Sequence, residues 1–160
     1  MTLALGIDPG TATIGYGLVR LMPDGELVAV DYGVITTPKE DSASVRLATL
    51  FDALNKILKK HKPDTAAVEK LFFTRNITTG IAVGQARGVI LLALEKAKIP
   101  TYEYTPNEVK QAVVGYGSAE KRQVQEMVRA LLQLEKIPKP DDAADALAVA
   151  ITHLNTARYE

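Results

Sequence analysis

The chain has 160 residues, its 19 lysines and arginines are balanced by 19 aspartates and glutamates, and it has no cysteine. That length suits one domain, residues 1–160, with a core of its own, and the missing cysteines exclude disulfides and thiolate metal sites, leaving oxygen donors for any metal. The longest apolar run, residues 89–94, is far below the ~18 residues of a membrane span, so a soluble protein is expected, and zero net charge means that any nucleic-acid surface must be local.

Leu3, Leu5 and Ile7 alternate with smaller residues, which predicts a strand ending on Asp8, and Pro9-Gly10 then turns the chain. Asp8 is thereby delivered to a rim, where an acidic residue is either a turn former or a ligand. A second strand runs back through Tyr16, Leu18 and Val19. Its Gly15 and Gly17 leave room for something to approach the backbone: a metal, a phosphate or a neighbouring strand. After the Pro23-Asp24-Gly25 turn a third strand passes through Leu27, Val30, Tyr32 and Ile35, so residues 3–36 read as an antiparallel meander with Asp31 on a solvent face. Ser42 or Ser44 caps a helix with Leu47, Leu50, Phe51, Leu54, Ile57 and Leu58 on one stripe. It ends near Lys62-Pro63, where Lys59, Lys60, His61 and Lys62 complement the helix dipole.

Thr65-Ala66-Ala67-Val68-Glu69 predicts a buried strand parallel to the first, and Glu69 at its end needs a partner. Phe72 and Phe73 beside Arg75 and Asn76 form either a stacking wedge or core anchors. The next helix, about Thr78 to Lys98, carries Gly80, Gly84 and Gly88 in a bare stripe that packs on the chain's own sheet or on a second subunit. A last strand covers residues 100–105, and Pro106 opens a short helix that carries Val109, Val113 and Val114. Ser118 is the expected cap of a further helix that buries Val124, Met127, Val128, Leu131 and Leu132. Lys110, Lys121 and Arg122 flank its start, where Lys121 either receives a phosphate or is simply solvated. The final helix begins at the capping Asp141, places Asp142 and Asp145 on one face and then becomes apolar almost all round. His153, on that helix, is expected to be structural.

Asp8, Glu69, Asp142 and Asp145 are together an oxygen-donor set for hard divalent cations such as Mg²⁺ or Mn²⁺. Two such cations about 4 Å apart can hydrolyse a phosphodiester with no protein nucleophile. The motifs Gly-Ile-Asp-Pro-Gly at 6–10, Val68-Glu69 with Phe72 and Asn76, Val109-Lys110-Gln111, residues 115–121 and Asp142-Ala-Ala-Asp-Ala-Leu147 span nearly the whole chain. In that order they resemble the ribonuclease-H-like nucleases and, within them, the RuvC family of Holliday junction resolvases. The resemblance implies an α/β fold with a mixed five-stranded sheet, three strands antiparallel and two parallel, and helices on both faces. It also implies a homodimer that nicks opposing strands of a four-way DNA junction, in recombination and repair, with two Mg²⁺ ions per site and Mn²⁺ able to substitute. By the same resemblance Asp8, Glu69, Asp142 and Asp145 hold the metals, and Lys121 and Lys110 lie near the scissile phosphate. Phe72 stacks on an unpaired base, Arg75, Asn76 and Arg122 contact DNA, and a RuvA–RuvB branch-migration complex is the partner in a bacterial cytoplasm. Local basic charge is expected from Lys110, Lys121, Arg122, Arg75 and Arg87 on the site face. The rivals are another nuclease of this fold, a catalytically inactive junction-binding protein and an actin-like ATPase, which requires two such domains.

Overall fold

The computed structural model describes residues 1–10, 12–70 and 76–157, so Phe72 and Arg75 lie outside the described residues. The elements follow as β1 (Thr2–Asp8), β2 (Thr13–Leu21), β3 (Leu27–Thr36), α1 (Ala43–His61), β4 (Thr65–Glu69), α2 (Ile77–Lys96), β5 (Thr101–Tyr104), α3 (Pro106–Val114), α4 (Lys121–Leu131) and α5 (Asp141–Ala157). The strands form one sheet in the order β3-β2-β1-β4-β5. β1, β2 and β3 pair antiparallel, while β4 joins β1 and β5 joins β4 in parallel. This is the expected mixed sheet.

Period-two alternation sorts the strand side chains onto two faces. Leu3, Leu5 and Ile7, with Ile14, Leu18, Ala66 and Val68, pack under α1 and α2. Ala4, Val19 and Ala67 pack under α3, α4 and α5. Asp8 shares the parity of Ala4 and Gly6, and Glu69 that of Ala67, so both strand-end carboxylates belong to the α5 side of the sheet. The register Gly6↔Ala67, Ile7↔Val68 brings the ends of β1 and β4 side by side.

The glycines of β1 and β2 are explained by α5 rather than by a metal, a phosphate or a strand. A Cβ on Gly6 would strike the carbonyl oxygen of Ala146, one on Gly15 the carbonyl of Asp142, and one on Gly17 the side chain of Leu147. The bare track lets α5 lie directly on the strand backbones. From Ala143 to Leu154 every residue of that helix except Asp145 is buried. His153 is structural, as expected: its Nε2 lies 2.8 Å from Thr65 Oγ1 and its Nδ1 2.8 Å from the Tyr104 hydroxyl, which pins α5 to β4 and β5.

Three local expectations need correction. Ser118 is not the cap of α4. The helix starts at Lys121 with Glu120 as N-cap, because Gln123 three residues on returns its Oε1 to the Glu120 N–H at 2.8 Å. Asp31 and His61 are not merely solvated, since His61 Nε2 sits 3.0 Å from Asp31 Oδ2 and ties the end of α1 to β3. Asp141 turns its carboxylate to α4, accepting from Gln125 Nε2 at 3.1 Å.

α2 starts at Ile77 with Asn76 as N-cap and buries Ala86, Ile90, Ala93 and Leu94. By length and composition alone it could cross a bilayer, with a mean hydropathy of 1.6. Those four residues instead make it a layer of this fold, packed with the sheet and α1. A Cβ on Gly88 would meet nothing within 4 Å, so packing on the chain's own sheet does not account for the glycine stripe there.

Candidate active site

Three carboxylates converge at the C-terminal end of β1. Asp8 arrives on β1, and Asp142 and Asp145, three residues apart, arrive on the first turns of α5. One carboxylate oxygen from each of these three lies within 4.8 Å of the others. Glu69 stands outside that group but lines the same cleft of about 250 Å³ with Asp8, Asp145, Lys110 and Lys121. Its apolar floor is Pro106, Val109, Val124 and Ala148, so the carboxylates meet across a partly desolvated gap.

The cost of that desolvation is visible in their protonation. Burial first, and then the charges of Glu69, Asp145 and Asp142, push the Asp8 carboxyl from 3.8 up to about 8, against the opposing pull of Lys121. Burial and Asp145 likewise raise Glu69 to about 7, with Lys110 and Lys121 opposing. Asp145 is raised by burial and by Asp142, while Lys121 works the other way. Burial disfavours the Lys121 ammonium, but Asp145, Asp141 and Asp142 outweigh it and hold the proton more tightly than usual. Lys121 Nζ lies 3.6 Å from Asp145 Oδ2 and 3.7 Å from Asp141 Oδ2. Asp141 thus joins the site's electrostatics, which its position as a first-turn acid did not reveal.

Such a cluster of like charges is stabilised by a cation. Oxygen donors on two rigid elements, with a dry floor and open space before them, fit a hard divalent ion that keeps waters or takes phosphate oxygens. The structure brings together Asp8, Asp142 and Asp145, with Glu69, Lys110 and Lys121 around the same cleft. Two of the other expected cations are paired with acids of their own. Arg87 is engaged with Glu103 of β5 at 2.7 Å, and Arg122 lies 3.5 Å from Glu126 one helical turn on. Asn76 uses its side-chain oxygen to accept from the Thr79 N–H at 3.2 Å.

Residues 4–153 match the family model described as "Crossover junction endodeoxyribonuclease RuvC". The chain belongs to the RuvC family. A crossover junction endodeoxyribonuclease RuvC of Chloroflexus aggregans is 58% identical over 154 residues, covering 96% of this chain and 93% of that one. The solved RuvC of Thermus thermophilus superposes with a TM-score of 0.91 at 36% identity, over 98% of this chain and 96% of that one. The same enzyme in complex with a Holliday junction substrate gives a TM-score of 0.90 at 34% identity, with the same coverage. Divalent-metal use is a property of RuvC nucleases, and the Asp8, Asp142 and Asp145 group is the donor set that suits it.

Proposed function

We propose that this chain resolves four-way DNA junctions by hydrolysing one phosphodiester on each of two opposing strands. The observation that carries the reading is the carboxylate group of β1 and α5, set in a cleft whose rim bears Lys110 and Lys121. Asp8, Asp142 and Asp145, with Glu69 beside Asp8, are the ligands we assign to two Mg²⁺ ions, with Mn²⁺ able to replace them. Bound there, the cations supply an activated water and a counter-charge for the leaving oxygen. The residues of the chain do the rest. α5 lies directly on the β1 and β2 backbones and fixes the angle between Asp8 and Asp145. The apolar floor limits water to the open side. Lys121 keeps its ammonium beside the phosphate as charge, and Lys110, which lines the same cleft, draws the strand in. Phe72, Arg75, Asn76 and Arg122 keep the DNA-contact roles that the resemblance implies. A RuvA–RuvB type branch-migration partner, and a bacterial cytoplasm where the junction is found, complete the reading.

Single-turnover assays test this. Paired nicks in a synthetic four-way junction are expected with Mg²⁺ or Mn²⁺, none with EDTA, and little cleavage of an RNA–DNA hybrid. Equal cleavage of the hybrid would point to another nuclease of this fold, and junction binding without cleavage to an inactive binder.

Two-fold symmetric cutting calls for two copies of the site, and α2 offers the surface for it. Ile77, Ile81, Gly88 and Leu92 recur at helical spacing on one face; the three large residues are 77%, 58% and 53% exposed, and Gly88 lets a partner backbone approach. We assign this stripe to an α2-to-α2 contact between subunits. A glutamate at position 81 or 92 would bury an unpaired charge, costing about 3 kcal/mol or more, or roughly a hundredfold in dimer affinity. Sedimentation of Ile81→Glu and Leu92→Glu is expected to show monomers, with paired nicks replaced by rare single ones. Retention of dimers by both variants would place the contact elsewhere.

A further inference from the structure

The cleft lysine Lys121 faces two carboxylates that stand one turn apart on α5. Asp145 Oδ2 lies 3.6 Å from its ammonium and Asp141 Oδ2 3.7 Å. Asp145 is one of the three residues whose oxygens gather within 4.8 Å of one another, and Asp141 stands outside that group. The two carboxylates therefore differ in what else they can serve.

Asp141 divides its oxygens between two residues of α4. Oδ1 accepts from Gln125 Nε2 at 3.1 Å, and Oδ2 faces Lys121. Lys121 and Gln125 are four residues apart, so they share one face of α4 and meet Asp141 together. Gln125 is only 8% exposed, and a buried amide keeps its hydrogen-bond partner because an unpaired donor there is costly. Lys121 is more than half exposed on a flexible stem, so the two carboxylates set where its charge sits. A carboxylate that serves a divalent cation has little charge left for an ammonium. Asp145 is assigned that duty above, whereas Asp141 is free of it.

We propose that Asp141 is a positioning residue for Lys121: clamped by Gln125, its carboxylate holds the Lys121 ammonium in the cleft independently of Asp145. The inference rests on the junction reading above, in which Lys121 supplies charge beside the phosphate, and it names what keeps that charge in place.

Two measurements test it. The first is acylation of Lys121 by acetic anhydride with Ca²⁺ present and no DNA, read by mass spectrometry of the lysine's peptide. Only the neutral amine reacts, and a carboxylate beside it favours the ammonium. Asp141→Asn is therefore expected to be acylated roughly threefold faster than wild type, the scale of one exposed ion pair. Equal rates would overturn the proposal, whether or not the wild type cleaves junctions. The second is a set of single-turnover rates at saturating junction. Lys121→Ala should lose roughly a hundredfold and Asp141→Asn roughly tenfold, while Asp141→Asn added to Lys121→Ala should cost nothing more, because a positioning residue acts only through the group it holds. Gln125→Met, which leaves the Asp141 charge but removes its clamp, should slow cleavage in the same direction. Additive losses in the double variant would mean that Asp141 acts by another route, and a wild-type rate for Gln125→Met would reduce Asp141 to an unplaced charge; either result overturns the proposal. If the wild type cuts no junction while the acylation difference stands, the junction reading falls and the hold on Lys121 survives it.

Discussion

Asp8→Asn is expected to abolish junction cleavage, by roughly 10³-fold or more in the single-turnover rate, while junction binding persists. The magnitude follows from the several kcal/mol that metal-held charge contributes in the transition state, at about 1.4 kcal/mol per factor of ten. An amide cannot carry the anionic charge of a ligand on a hard cation, yet it has nearly the same shape. The same substitution should stabilise the metal-free protein. Asp8 has an ordinary carboxyl in the unfolded chain but titrates near 8 when folded, so folding favours its protonated form. Stability from this group is complete below about pH 4 and is lost as the pH climbs through about 8. In EDTA the wild type should therefore melt progressively lower between pH 5 and 8. Asp8→Asn, which never ionises, should melt several degrees higher than wild type at pH 8, a few kcal/mol at about 2–4 °C each. Divalent cations must displace that proton, so they should bind more tightly as pH rises and restore the wild-type melting point. Cleavage within tenfold of wild type would exclude Asp8 as a ligand. A variant that melts no higher than wild type in EDTA at pH 8 would show that burial and repulsion do not strain this carboxylate.

Gly15→Ala should damage the protein more than its single methyl group suggests. The added Cβ falls on the carbonyl of Asp142, which is helix backbone and cannot rotate away as a side-chain tip does. Overpacking of this kind costs about 3 kcal/mol, or roughly 6–12 °C in melting temperature for a chain of this length. Relief comes only by lifting the start of α5 from β2. That movement carries Asp142 and Asp145 away from Asp8, and a shift of about 1 Å in a reacting group costs on the order of a hundredfold in rate. Cleavage should therefore fall even in the fraction that stays folded, as judged by the rate at saturating enzyme well below the melting temperature. A stable, fully active Gly15→Ala would mean that α5 can seat elsewhere on the sheet.

Much of this architecture is legible in the chain because it rests on local periodicity. Leu3, Leu5 and Ile7 alternate, the α1 stripe repeats at three and four, and Pro-Gly and Pro-Asp-Gly mark the turns, so the strands and helices are found within a residue or two. Parity along β1 and β4 even assigns Asp8 and Glu69 to a common face once the strands are known to be parallel. Errors arise where the deciding partner is distant or the signals compete. Ser118 is a good cap by type, but Gln123 makes Glu120 the better one. Arg87 reads as an available cation until β5 brings Glu103 to it.

By itself the sequence determined the elements and marked four candidate carboxylates, because these depend on residue type and spacing along one chain, and the order of its motifs carried the family resemblance that implied the mixed sheet. Tertiary structure alone decided what the glycines of β1 and β2 are for, since only the crossing of α5 shows that Gly6, Gly15 and Gly17 form its track. It also decided that three of the carboxylates meet within 4.8 Å while Glu69 stands to one side. The physical reason is the same in both cases. Distances between residues more than a hundred positions apart are set by how closely two backbones can pack, and no local pattern encodes that.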